Sequence, residues 1–208
     1  VHWAREELPE GHFALNEYGL LHTSQDVISP SRQRERYLEL IEEMFRRDCA
    51  PDAIGWQAHI GAWFPHDAFY QTIDTLAQSG LPVEITEFWA HDKHNPGFGQ
   101  LSDEELIQTK VEYMRDMYTI AFGHPAVNHF TYWGESGFAD KEGNTTPFYE
   151  ALYDLIKKQW STREETFSDD EGIVRIDAFY GHYEVETPAG KANLIHQPEE
   201  GVVTLRCL

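Results

Sequence analysis

The sequence predicts an α/β fold of the (β/α)8 TIM-barrel type, here about half a barrel, followed by a small antiparallel β module. Three observations carry that expectation. Apolar runs of strand length alternate with runs of helical spacing at intervals of roughly 30–45 residues, the rhythm of βα units on a parallel sheet. Every candidate strand ends in polar or aromatic residues: Asn16 and Glu17, Gln57 and His59, Glu87, then Trp133 to Glu135. Chemistry gathered at the carboxyl ends of parallel strands is the barrel arrangement. After Trp160 the texture changes to short alternating runs separated by Gly, Pro and acidic turns.

The elements follow in order. "HWAREEL" (2–8) reads as the tail of a helix closed by Pro9 and Gly11, and "HFALNEY" (12–18) as a short buried strand. Ser29-Pro30 supplies an N-cap and a first-turn proline for a helix that carries Tyr37, Leu38, Ile41, Met44 and Phe45 at helical spacing. "PDAIGWQAHI" (51–60) is the second strand, and "DAFYQTIDTLAQSG" (67–80) is a helix that stops at Gly80. The third strand is "PVEITEF". Strict alternation puts Val83, Ile85 and Glu87 on one side, the barrel interior, with Glu84 and Thr86 on the other. "SDEE" (102–105) is a capping box for a helix reaching about Phe122. "AVNHFTYWG" (126–134) is the fourth strand and "TPFYEALYDLIKKQW" (146–160) the next helix.

The predicted division is therefore a half barrel over 1–160 and a β module over 161–208. In the module "GIVRIDAF", "GHYEVET", "KANLIHQ" and "GVVTLRCL" read as strands, with Tyr180 and Tyr183 in its core. Four βα units leave one sheet face open, to be covered by a missing N-terminal half-barrel or by a second copy. A chain that begins at Val1 reads as a processed or truncated product.

Composition narrows the function. Hydrophobic residues make up 41% and aromatic residues 13%, enough for a real core. Thirty-six acids against 16 bases give a formal charge of −20. A field of that sign repels phosphate backbones and anionic lipid, so nucleic acid and membrane are excluded as expected partners, whereas a neutral substrate is compatible. No apolar run approaches the ~20 residues that span a bilayer. Cys49 and Cys207 make neither a disulfide framework nor a zinc spacing.

Barrel geometry would bring Glu87, His59 and Trp133 from successive strands to one mouth. A carboxylate, an imidazole that hydrogen-bonds it and an aromatic platform suit sugar cleavage. Trp89 reads as a further sugar contact. Trp56 reads either as core or as a platform, and so does Trp63 with Phe64. His91, Asp92 and His94 read as surface loop rather than a metal site, and His22, His66 and His124 as ordinary loop or helix-end residues. No metal or organic cofactor is required.

The same stretches resemble glycoside hydrolase family 10. "DAIGWQAHI" is similar to its sixth-strand signature, "LPVEITEFW" to the seventh-strand "ITEL(D)" segment, "FALNEYGLL" to the fifth-strand "YINDYN" segment and "FTYWGESGF" to the eighth-strand "WG" segment. The resemblance runs in order over roughly residues 1–160 and makes the four strands numbers 5–8 of the barrel. It implies a retaining, secreted, extracellular endo-β-1,4-xylanase acting on xylan or a related β-glycan. Glu87 would be the nucleophile, with His59 hydrogen-bonded beside it. Asn16, Tyr18, Gln57, Trp89, Trp133 and Glu135 would contact the polysaccharide. Glu17 invites an acid/base role because Asn16-Glu17 looks like the family clan's Asn-Glu pair. Its strand stands only two before that of Glu87, where the clan places the acid three before, so the acid/base is expected upstream of Val1. The chain departs from the family in carrying Phe88-Trp89 for Leu-Asp. A half barrel without its acid could also be a non-catalytic carbohydrate-binding or structural element.

Overall fold

Among the described residues four strands lie parallel and side by side, each preceded by a helix, and two of those helices open on a serine cap. The computed structural model describes residues 1–21, 29–60, 63–90, 100–134 and 137–197. Helix α1 spans His2–Glu7 and strand β1 spans Ala14–Glu17. Helix α2 (Pro30–Arg46) opens where the Ser29 side chain accepts from the Arg32 backbone N–H, with Pro30 in the first turn. Strand β2 (Ala53–Trp56) resumes after Ala58 as β3 (His59–Ile60). Ala58 has φ 51°, the left-handed region that a residue with a Cβ enters only under strain, and this break divides the single strand the sequence predicts.

Helix α3 (His66–Ala77) buries Phe69, Thr72, Ile73 and Leu76, one stripe at helical spacing. Strand β4 spans Val83–Ala90. Helix α4 (Asp103–Gly123) starts with the capping box read from the sequence, Ser102 and Glu105 each satisfying the other's backbone N–H. Strand β5 covers Val127–Tyr132, and helix α5 covers Pro147–Asp154, continuing as a π-helical turn over Leu155–Gln159. None of the described helices is long and apolar enough to cross a membrane.

In the sheet β1 pairs with β2, β2 and then β3 with one edge of β4, and β5 with its other edge, all parallel. One face is closed. Ile54, Val83, Ile85 and Phe88 are wholly buried there, together with Phe69, Ile73, Leu76 and Met117 of the helices. Phe88 meets Phe69 of α3 and Tyr118 of α4 edge-on, and Trp56 packs on Phe69 with ring centroids 5.2 Å apart, so Trp56 is core.

This corrects the alternation expected for β4. Val83 and Ile85 face the helices, and Glu87 does not share their side. Between Ile85↔Phe130 and Phe88↔Tyr132 the strand advances three residues while β5 advances two. The extra residue is a β-bulge, which shifts the inside–outside phase and turns Glu87 to the face opposite the helices, where alternation already places Thr86.

The chain divides into two compact units, Val1–Ala151 and Leu152–Leu208. In the second, β6 (Gly181–Thr187) and β7 (Gly190–His196) form an antiparallel hairpin. Tyr183 and Val185 pair with Leu194 and Ala192 on its apolar side, and Lys191 bridges Glu184 and Glu186 on the other. The predicted strand over 172–179 is not one. The Asp169 carboxylate accepts from the N–H groups of Glu171 and Ile173, and the Asp169 N–H donates to the Ile173 carbonyl. That loop takes up the backbone groups a strand would need at its start. Tyr180 is exposed and stands outside any core, while the Tyr183 hydroxyl donates to the Phe179 carbonyl. The fourth predicted strand of the module lies outside the described residues.

Candidate active site

Glu87 occupies the carboxyl half of β4, where the bulge has brought it to the face away from the helices. His59 approaches from β3: its Nε2 lies 3.0 Å from Glu87 Oε2. An ionised carboxylate only accepts, so the imidazole donates in that pair. Asn16 reaches in from β1, beyond β2 on the same edge of β4, and its Nδ2 donates to Glu87 Oε1 at 3.4 Å. Each of the two oxygens thus has its own donor. Both side chains of the His59–Glu87 pair remain partly open, at 28% and 22% exposure, so a ligand can reach them.

Two indoles border the imidazole. Trp133 lies 5.6 Å from the His59 ring centroid at an angle of 59°, and Trp89 lies 6.0 Å away, edge-on at 75°. The Trp133 backbone N–H donates to the Phe88 carbonyl, which carries the β4–β5 ladder one residue past β5 and fixes where that indole emerges. Both rings are substantially exposed, 36% for Trp89 and 48% for Trp133. Flat apolar surface beside a hydrogen-bonded carboxylate is the form of a carbohydrate site, where an aromatic face meets a sugar's C–H face.

The remaining candidates fall in different places. Gln57 is half-buried just after β2, and its N–H donates to the Glu17 carbonyl. Tyr18 is exposed beyond the end of β1, and its N–H donates to Glu17 Oε1 at 2.8 Å. Glu17 itself pairs in register with Trp56, which pairs with Ile85. Partners in a parallel ladder share a face, so Glu17 is set on the helix side, where its charge, after burial, raises the Tyr37 hydroxyl. The structure does not bring Glu17 to Glu87. Glu135, together with His22, His91, Asp92 and His94, lies outside the described residues.

Trp63 stacks on Tyr113 of α4, centroids 4.2 Å apart at 21°, and the Phe64 N–H donates to the Tyr113 hydroxyl. Burial pushes that hydroxyl up to about 12. His66 starts α3 and stands 3.3 Å from Asp116, and His124 caps the end of α4 with its Nδ1 accepting from the Ala126 N–H.

Sequence reading missed two participants. The Thr86 hydroxyl donates to Asn16 Oδ1 at 2.8 Å, and the Glu84 carboxylate, only 13% exposed, pairs with His12 at 2.7 Å on the same face. Both follow from the phase of β4. With the bulge included, the polar residues of "PVEITEF" all gather on one side.

Comparison with known proteins agrees with this fold. Residues 1–154 match the model of Glycosyl hydrolase family 10. Among curated proteins, an Arabidopsis thaliana protein named endo-1,4-beta-xylanase 5-like is 25% identical over 192 residues, 85% of this chain and 31% of its own length. The anti-sigma-I factor RsgI6 of Acetivibrio thermocellus is 22% identical over 191 residues, 86% of this chain and 24% of that protein. Among solved structures, xylanase 10B from Thermotoga petrophila RKU-1 in complex with xylobiose superposes with a TM-score of 0.59 at 22% identity, covering 76% of this chain and 50% of that one. Xylanase 10C from Cellvibrio japonicus gives 0.60 at 14% identity, covering 74% and 37%. These superpositions show the barrel fold. The chain spans about a third or less of these curated relatives and half or less of these two solved barrels.

Proposed function

The chain belongs to glycosyl hydrolase family 10, and from that premise we propose that the protein carrying it is a retaining glycoside hydrolase of xylan or a related β-glycan, with Glu87 as its nucleophile. The observation that carries the reading is the Glu87 carboxylate, held between His59 and Asn16 and bordered by two exposed indoles. In this reaction a Glu87 oxygen bonds to the anomeric carbon while the bond to the leaving sugar oxygen breaks. That oxygen takes a proton from a second carboxylic acid, and water then hydrolyses the glycosyl ester. The second acid must lie ~5–5.5 Å from the nucleophile. Glu17 is on the other face of the sheet, so we assign the acid to a segment other than β1. Trp89 and Trp133 serve as sugar platforms. Because the proposed substrate is a polymer, we place the protein outside the cell.

Glu87→Gln preserves the shape, gives up one of the two accepted hydrogen bonds and cannot form the ester. Release of reducing sugar from xylan should fall by about 10⁴-fold, with binding retained. Undiminished release by the variant refutes the assignment.

The helix-side register of Glu17 also favours a second reading, a carbohydrate-binding element without turnover, and a relative named as an anti-sigma factor shows that this sequence type occurs in proteins named otherwise than as xylanases. Affinity electrophoresis in xylan gels separates the two: retarded migration without sugar release supports binding alone, and release supports hydrolysis.

A further inference from the structure

Asn16 and Glu87 stand on β1 and β4, and β2 runs between them. Neighbouring strands are ~4.8 Å apart, so about 9–10 Å separates the two backbones. An asparagine side chain bridges that gap only by lying flat across the middle strand. The residue beneath it is Gly55, paired with Asn16 on one side and Glu84 on the other. A Cβ there would stand 2.8 Å from Asn16 Oδ1 and 3.0 Å from its Cα. The crossing therefore exists because this one position of β2 has no side chain.

Once across, the amide has two orientations. One puts Nδ2 on the Glu87 carboxylate and the other puts Oδ1 there, acceptor against acceptor. The carboxylate, which only accepts, selects the first, and the Thr86 hydroxyl anchors it there by donating to Oδ1 at 2.8 Å. Thr86 lies on the face of Glu84 and Asn16 by plain alternation, and the bulge brings Glu87 to that same face.

We propose that Gly55 and Thr86 are positioning residues that act through Asn16 to fix the Glu87 carboxylate. This rests on the reading of Glu87 as the nucleophile. The terminal torsion of a glutamate is broad and roughly two-fold, so a carboxylate held by one donor swings. Donors on both oxygens, His59 on Oε2 and Asn16 on Oε1, confine it to one attack geometry, a gain realised in rate rather than in binding.

The test uses the protein that carries this chain and a 2-deoxy-2-fluoro β-xylobioside with a dinitrophenolate leaving group. That group departs without a proton, so the step reads the nucleophile alone: the Glu87 ester forms and dinitrophenolate is released. Thr86→Val should lower the limiting inactivation rate about tenfold, the scale of one hydrogen bond to a charged group, with half-saturation within about twofold. Gly55→Ala should do the same, and Thr86→Ser should restore the rate to within about threefold of wild type. Wild-type inactivation rates in both Thr86→Val and Gly55→Ala overturn the inference.

Peptide mapping separates this from the underlying assignment, because a label on another residue, or none in the wild type, refutes Glu87 itself. The side-chain amide resonances of Asn16 then decide the positioning question without turnover. They should move in Thr86→Val and Glu87→Gln and stay near wild type in Thr86→Ser; no movement in Thr86→Val overturns it.

Discussion

The two faces of the parallel sheet are held by different physics. Toward the helices, Ile54, Val83, Ile85 and Phe88 are closed off from water and touch other apolar groups, so their contribution scales with area and has little direction. On the opposite face, Asn16, Glu84, Thr86 and Glu87 are joined from strand to strand by hydrogen bonds with defined donors. The first face makes the fold. The second fixes orientations, and its members lie near enough to solvent that losing one costs stability little. A single strand, β4, serves both, and its bulge is where one regime hands over to the other.

The largest expected effect breaks the first face. Phe88 touches Phe69, Tyr118 and Phe130 at once. Phe88→Ala should cost about 3–5 kcal/mol through lost burial and the cavity it leaves. Its neighbour sharpens the contrast: Glu87→Gln, one residue earlier, should change unfolding free energy by no more than about 1 kcal/mol. Urea unfolding of the two variants side by side checks this. Equal costs would mean that the faces do not differ as described.

Much of this architecture is legible in the chain itself, for identifiable reasons. The Ser102–Glu105 capping box and Ser29-Pro30 are local signals whose chemistry is complete within four residues, and both helices begin there. The stripe Phe69, Ile73, Leu76 declares its buried side by spacing alone. The phase of β4 is not legible, because a bulge depends on how β5 aligns with it, and "PVEITEF" alternates cleanly with or without one. Gly55 carries no visible role until Asn16 is seen above it. The segment 172–179 has strand-like residues, but Asp169 captures its first N–H groups.

A smaller effect probes polarity on the apolar face. The Tyr37 hydroxyl of α2 donates to the Leu15 carbonyl of β1, and burial with the nearby Glu17 charge raises its pKa. Tyr37→Phe leaves that carbonyl without this donor and should cost about 1–2 kcal/mol, more than an equivalent loss among solvated groups. Thermal and urea unfolding of the variant read the difference. A cost near zero would place the hydroxyl in contact with water after all.

The smallest effect lies at the amino end of the sheet and depends on pH. Asp52, just before β2, accepts from Arg5 at 2.6 Å and from the Phe13 N–H at 2.8 Å, so it ties α1 and the entry to β1 together. The Arg5 hydrogen bond first, then the Phe13 N–H, holds its carboxyl below the usual aspartate range. A depressed folded-state value means that the unfolded chain takes up the proton first as pH falls. The stabilisation is therefore complete above the ordinary aspartate value near 4 and is lost as pH drops through the lower, folded value. Asp52→Asn keeps an acceptor for Phe13 but loses the charge facing Arg5. The variant should be slightly less stable than wild type at about pH 6, and the gap should close toward about pH 2. Urea midpoints across that range decide it: a gap that persists at low pH would assign the loss to altered packing of the side chain, and a gap that closes assigns it to the ionised carboxylate.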